Sequence, residues 1–193
     1  MYDSKQKLSP VTVALHWIVA AMVLFLWPLG YYMATVRAYK FWPLHQSTGT
    51  VLFVVILIRL FWRFKNGWPQ PVSVYSRFEQ VLARTVHWTL VVALVAMPLS
   101  GLVSGYMGGY DITVFGWTLI PDVPNHAIVP ADAIHKLKVI PRNNAMHDFL
   151  QQVHIFFAWV LVGAVALHVA GALKHHLIDK DGTLRRMLGA KVG

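Results

Sequence analysis

The sequence predicts an all-α integral membrane protein: a four-helix bundle with both termini cytoplasmic and a long outer loop between helices 3 and 4. Three observations predict it. Of 193 residues, 56% are hydrophobic and only 13% are charged, about half the charged share of a soluble domain. Residues 11–34, 41–58, 85–107 and 149–173 hold no Asp, Glu, Lys or Arg, and a bilayer core needs about 20 residues of helix. The basic residues fall mostly on one side of the spans these stretches define.

The elements follow in chain order, with spans at about residues 11–34, 41–62, 81–107 and 148–173. Span 1 is too long for the apolar core of a signal peptide and carries His16 and Trp17, so it reads as an uncleaved span. A short loop leads to span 2. Residues 62–80, with Gly67, Pro69 and Pro71, read as a plain linker. Span 3 leads into an outer loop of about 40 residues, 108–147, rich in aromatic residues, Gly and Pro. Loops of that length are functional or disordered, and this composition predicts a segment folded over the outer face. Period-two alternation is missing, so no strand is expected. Nothing suggests a repeat or a second domain, and residues 1–193 read as one transmembrane domain.

Lys5, Lys7, Arg59, Arg63, Lys65, Arg77, Arg84, Lys174, Lys180, Arg185, Arg186 and Lys191 lie at the end shared by the termini. Arg37, Lys40, Lys136, Lys138 and Arg142 lie at the other. The positive-inside rule makes the richer side cytoplasmic. The same partition accounts for the net charge of +9 and the pI of about 10, so no nucleic-acid partner is expected; the surrounding partner is membrane lipid.

There is no cysteine and there are 10 histidines. Thiolate metal sites, disulfides, iron–sulfur clusters and covalent C-x-x-C-H haem attachment are thereby excluded. A histidine inside a span is costly and points to function. His154 and His168 are 14 residues apart on span 4, ~21 Å along the axis and within ~40° of the same face. Two ligands so far apart serve two sites. His16 shares the inner depth with His168, and His45 shares the outer depth with His154. Two imidazoles per site, with no thiolate or carboxylate close by, suit the axial positions of b-type haem better than zinc. Gly49, four residues after His45, would leave room for a flat macrocycle, although small residues also serve helix packing.

The remaining histidines are distributed around this arrangement. His87 shares the inner depth and either replaces His16 as ligand or donates a hydrogen bond there; the completed pairing favours the second. His175, seven residues past His168, either lines a pocket for a hydrophobic substrate or sits at the interface. His147 falls at the outer surface, and His126 and His135 are solvated loop residues. Arg59 and Arg63 are candidates to meet inner haem propionates, with positive-inside anchoring as the alternative.

These pieces resemble the bacterial cytochrome b561 family, di-haem b membrane cytochromes that include superoxide oxidase. The resemblance rests on Leu15-His16-Trp17, His45-x3-Gly49, His87 with Met97-Pro98-Leu99-Ser100-Gly101, His154-x13-His168-x6-His175-His176, and the tail from Asp179 to Met187. It covers essentially the whole chain. It implies two haem b bound by His16, His45, His154 and His168, electron exchange with ubiquinone from the quinone pool at the inner face, and a place in the bacterial inner membrane. It makes superoxide the favoured outer donor and the protein an oxidoreductase. For a small anionic donor, Lys136, Lys138 and Arg142 form a candidate steering patch; a solvated loop surface is the alternative. The rival function is a haem b subunit serving a partner dehydrogenase or hydrogenase.

Overall fold

A computed structural model describes residues 3–121 and 141–192. Four long helices dominate: α1 (Pro10–Val36), α2 (Trp42–Asn66), α3 (Arg77–Met107) and α4 (Asn144–Lys174), with a short α5 (Thr183–Met187) after a π-helical turn at His175–Asp179. All four long helices are long and apolar enough to cross a membrane. Each contains its expected span almost entirely; α2 runs on at its C-terminal end, α3 at its N-terminal end and α4 chiefly at its N-terminal end, because turns with polar residues continue the helix past the charge-free stretch.

Local chemistry explains where the helices begin. Ser9 caps α1 by accepting from the Thr12 N–H, with Pro10 at the first position, where its missing N–H costs nothing. A single 3₁₀ turn at Tyr39–Phe41 leads to α2, again with Pro43 near the start. Ser76 and Glu79 form a reciprocal capping box on α3. Asn143 caps α4 through the Met146 N–H. Helix α2 ends at Gly67, whose φ of +78° suits only a residue without a side chain.

Neighbours in sequence pack side by side, α1 on α2, α2 on α3 and α3 on α4. Helix α4 reaches α1 through side chains: Trp159 meets Trp27 and Tyr31, and His168 meets His16. The core lies midway along the bundle and contains Val19, Val23, Leu26, Leu52, Ile56, Ala93, Met97 and Leu161. Outside it, large apolar side chains such as Leu24, Phe64 and Phe156 are exposed. That arrangement suits hydrocarbon, where apolar surface needs no burial and close packing holds the helices together.

Between α3 and α4, the outer loop contains an element that the sequence did not announce. Strands β1 (Ile112–Val114) and β2 (Trp117–Ile120) form an antiparallel hairpin. Its turn places Phe115 and Gly116 at φ 47° and 89°, the left-handed pair that a tight hairpin requires. Gln46 and Ser47 hold the hairpin over the end of α2: the Gln46 amide donates to the Asp111 carbonyl at 2.9 Å, and the Phe115 N–H donates to Ser47 Oγ at 2.9 Å. The described part of the loop that follows α3, residues 108–121, thus lies over this end, in a strand form that alternation over three or four residues cannot signal.

At the other end, which carries both termini, residues 62–80 prove to be more than a linker. Tyr75 donates its hydroxyl to Asp181, and Arg186 donates to the carbonyls of Lys5 at 2.8 Å and Gln70 at 2.9 Å. The Val192 N–H donates to the Gln6 carbonyl at 2.9 Å, and the Trp17 indole donates to the Met187 carbonyl at 2.8 Å. Asp3 accepts from the Ser9 N–H at 2.7 Å and the Thr12 hydroxyl at 2.9 Å, and pairs with Arg63 at 2.9 Å. The N-terminal segment, the α2–α3 connection and the C-terminal tail therefore form one clasp.

Burial alone would raise the Asp3 carboxyl pKa, but the hydrogen bonds from Ser9, Thr12 and Arg63 outweigh it and hold it below the ordinary carboxylate value. Its contribution to stability is therefore complete above that ordinary value and lost as pH falls through the lowered one. Asp3→Asn leaves Arg63 without its charge in a pair whose side chains are 8% and 5% exposed. We expect a loss of about 3 kcal/mol at neutral pH. Thermal unfolding in detergent should show variant and wild type converging on acidification; parallel curves down to strongly acid pH would contradict the clasp.

Candidate functional site

Helix α4 presents His154 and His168 along one side, and each meets a histidine from another helix. The ring centres of His16 and His168 lie 6.1 Å apart near the terminal end. Those of His45 and His154 lie 6.2 Å apart near the hairpin end. A metal–imidazole bond is about 2 Å, and ~1.1 Å separates a ring nitrogen from its ring centre, so an ion held between two imidazoles needs ring centres ~6 Å apart. Both pairs match that spacing. His87 lies 5.1 Å from His168, too close for an iron between them, and its Nδ1 donates to the Ala83 carbonyl of its own helix at 2.6 Å. The Nδ1 hydrogen of His87 is thus used within α3 and not toward the His16/His168 pair.

Two glycines set the hairpin-end pair. A Cβ on Gly101 would lie 2.8 Å from His154 Nδ1, and one on Gly30 would lie 3.0 Å from His45 Cε1. Their absence lets both rings pack against helix backbone. His154 uses the space to donate Nδ1–H to the Met97 carbonyl at 2.7 Å, which leaves Nε2 free as the ligand nitrogen. A buried polar atom remains without a hydrogen-bond partner here, His45 Nδ1. Beside it, a Cβ on Gly49 would meet no atom within 4 Å, so the α2 face below His45 is open. Paired imidazoles at metal spacing, an unsatisfied ring and an open cradle fit a haem.

The terminal-end pair is charged rather than notched. Arg59 Nη2 lies 3.1 Å from His16 Nδ1, and Arg63 is committed to Asp3. Of the two arginines considered for propionates, only Arg59 thus faces the site. One heptad beyond His168, His175 Nδ1 contacts Asp179 at 2.8 Å and Asp181 at 3.3 Å, and its ring centre lies 4.6 Å from that of Tyr75. The sequence located His175 but not its acidic partners. Burial raises the Asp181 pKa, but hydrogen bonds from Tyr75 and Thr183 more than offset this and keep it below its ordinary value. Burial, then the hydrogen bond to Asp181, raises that of the Tyr75 phenol.

Lys136 and Lys138, with His126 and His135, lie outside the described residues. Arg142 stacks its guanidinium over the Tyr106 ring, 4.2 Å from the ring centre. His147 contacts the Ser104 carbonyl at 2.8 Å through Nδ1 and binds the start of α4 to α3, a structural task. Gly30 and Gly101 escaped the sequence reading as site residues. The available signal was their position inside membrane helices, where glycine is unfavourable unless something approaches the backbone closely.

The chain is similar to known proteins over nearly its whole length. The family model for prokaryotic cytochrome b561 matches residues 7–190. "Cytochrome b561 homolog 2" of Escherichia coli (strain K12) is 35% identical over 97% of this chain and 94% of its own length. "Probable superoxide oxidase CybB" of Yersinia pestis is 26% identical over 97% and 99%. "Cytochrome b561 homolog 1" of Escherichia coli is 22% identical over 94% and 97%. With a match running from the N-terminal clasp through all four spans into the C-terminal tail, the chain belongs to the prokaryotic cytochrome b561 family, multi-pass membrane proteins that transfer electrons through haem b.

Proposed function

We propose that the protein holds two haem b, one between His16 and His168 and one between His45 and His154, and passes electrons across the bacterial inner membrane from superoxide to ubiquinone. The observation that carries this reading is the pair of matched ring spacings, 6.1 and 6.2 Å, at opposite ends of α4. Two imidazoles at each site would leave a bound haem iron no open position for oxygen, which suits electron transfer. In this reading the termini are cytoplasmic, as the basic residues favour, and the hairpin end faces outward.

The stoichiometry suits two centres. Each superoxide gives up one electron and leaves as dioxygen, whereas a quinone takes up two electrons and two protons to become a quinol. Two haems can hold both electrons. At the terminal end, His175 with Asp179, Asp181 and Tyr75 forms an acid–base group one heptad from His168, suited to supplying protons to a bound quinone. Lys136, Lys138 and Arg142 would draw a small anion to the outer face. The Yersinia pestis relative is named a probable superoxide oxidase, which supports superoxide as donor.

Stopped-flow mixing of the haem-loaded protein with superoxide, with and without a quinone analogue, tests the donor and the acceptor together. Superoxide should reduce the haem α-band rapidly, and quinone should reoxidise it. Exchanging Lys136 and Lys138 together for Gln should slow the first phase and flatten its dependence on salt. A protein inert to superoxide but reduced by a copurifying soluble dehydrogenase would favour the partner-subunit reading instead.

His154→Ala should remove the hairpin-end haem and leave the terminal-end one, halving the haem per chain. Gly101→Ala drives a methyl group against His154 Nδ1 and should weaken haem retention at the same end about 10- to 100-fold, as loss of an outer-shell hydrogen bond does at metal sites. Pyridine haemochrome analysis reads both. Loss of both haems from an inserted, folded His154→Ala protein would contradict the pairing.

A further inference from the structure

We propose that the direction of electron flow is built into this chain: Arg59 makes the His16/His168 end the higher-potential end, so electrons run downhill from the hairpin end to the terminal end. The inference rests on the assignment of the four histidines above and adds an order to the two sites.

The two ends differ in what Nδ1 faces on the histidines that would hold the haems. At the hairpin end, His154 Nδ1 donates to the Met97 carbonyl at 2.7 Å. A carbonyl acceptor draws on that proton, makes the imidazole a stronger electron donor and favours ferric iron. The same carbonyl also accepts from the Ser100 hydroxyl at 2.8 Å, so Ser100 moderates the effect. His45 Nδ1, on the opposite ring, has no partner. No cation touches either imidazole of this pair among the described residues.

At the terminal end the sign reverses. His16 Nδ1 lies 3.1 Å from a guanidinium nitrogen of Arg59. A guanidinium has no acceptor and keeps its charge, so Arg59 cannot act as the Met97 carbonyl does; a His16 that held iron through Nε2 would carry its proton on Nδ1, and Arg59 would then turn from that N–H and act through its charge alone. It places a fixed positive charge beside the site and penalises the extra positive charge of ferric iron. Its neighbour Arg63 is neutralised by Asp3 at 2.9 Å, whereas among the described residues Arg59 has no carboxylate in ion-pair contact. Were Arg59 to bond a propionate at its own end instead, its charge would cancel a negative group there, with the same sign of effect. Carbonyl and guanidinium thus push the two potentials apart in the same sense, and electrons settle at the end that carries the His175–Asp179–Asp181 group.

Redox titration of the full-length, haem-loaded protein, followed at the α-band, tests the order. Wild type should titrate in two one-electron steps. His45→Ala, which keeps only the terminal-end haem, should retain the upper step. Arg59→Gln should lower the upper step by about tenfold in the one-electron equilibrium, ~59 mV, and leave the lower step in place; Arg59→Lys, which keeps the charge, should restore most of it. Ser100→Ala should lower only the lower step. If the haem remaining in His45→Ala titrates at the lower step, or if Arg59→Gln moves the lower step, the proposed direction is wrong. The His45→Ala result needs no Arg59 variant and decides the order even if Arg59→Gln does not fold. Wild type carrying a single haem would overturn the two-site assignment and this inference with it; two haems in reversed order would overturn the inference alone.

Discussion

Everything in this molecule depends on the rigidity of α4. A helix fixes the separation and angle of its side chains, so His154 and His168 stand ~21 Å apart on one side of the rod whatever the neighbours do. The other helices conform to those two points. Helix α1 brings His16 to one and α2 brings His45 to the other, with ring centres 6.1 and 6.2 Å apart. Because α1 and α2 run in opposite directions, a histidine early in each lands at opposite ends of the bundle. Simple up-and-down connection is enough to produce two histidine pairs.

Helix α4 also shows what a cofactor-holding membrane bundle gives up. Only Leu161 and Ala164 are buried along its length, and its contact with α1 runs through rings rather than backbone. Packing within the membrane comes from close van der Waals contact, with no hydrophobic drive between helices. A helix held off from a neighbour loses much of that contact. The α3–α4 interface compensates: Ser104 and His147 join the two helices near the hairpin, and the Met97 carbonyl and His154 join them at the site itself. One hydrogen bond therefore serves both helix packing and the orientation of a ligand candidate.

The two ends of the bundle solve different problems. At the hairpin end, glycine notches and a backbone carbonyl seat the rings, and a small sheet lies over the mouth of α2. At the terminal end, charges dominate, and the N-terminal segment, the α2–α3 connection and the C-terminal tail are tied together through Asp3, Arg63, Tyr75, Asp181 and Arg186. Ion pairs and polar clasps are effective where chain leaves the hydrocarbon, whereas deep polar groups there need partners of their own.

The sequence by itself determined the number of spans, their approximate limits and the identity of the four histidines that meet, because hydropathy, helical period and depth are one-dimensional properties. It located His175 and considered Arg59 for the same reason. The glycine notches at Gly30 and Gly101, the acidic partners of His175 and the clasp around Asp3 and Arg63 were decided only by tertiary structure. Each depends on which residue of one element lies opposite which residue of another, and that register follows from interlocking side-chain shapes. The separate fates of Arg59 and Arg63 illustrate this: four residues apart on α2 and alike in chemistry, one faces a histidine and the other a carboxylate, because only the second lies level with the returning N-terminal segment.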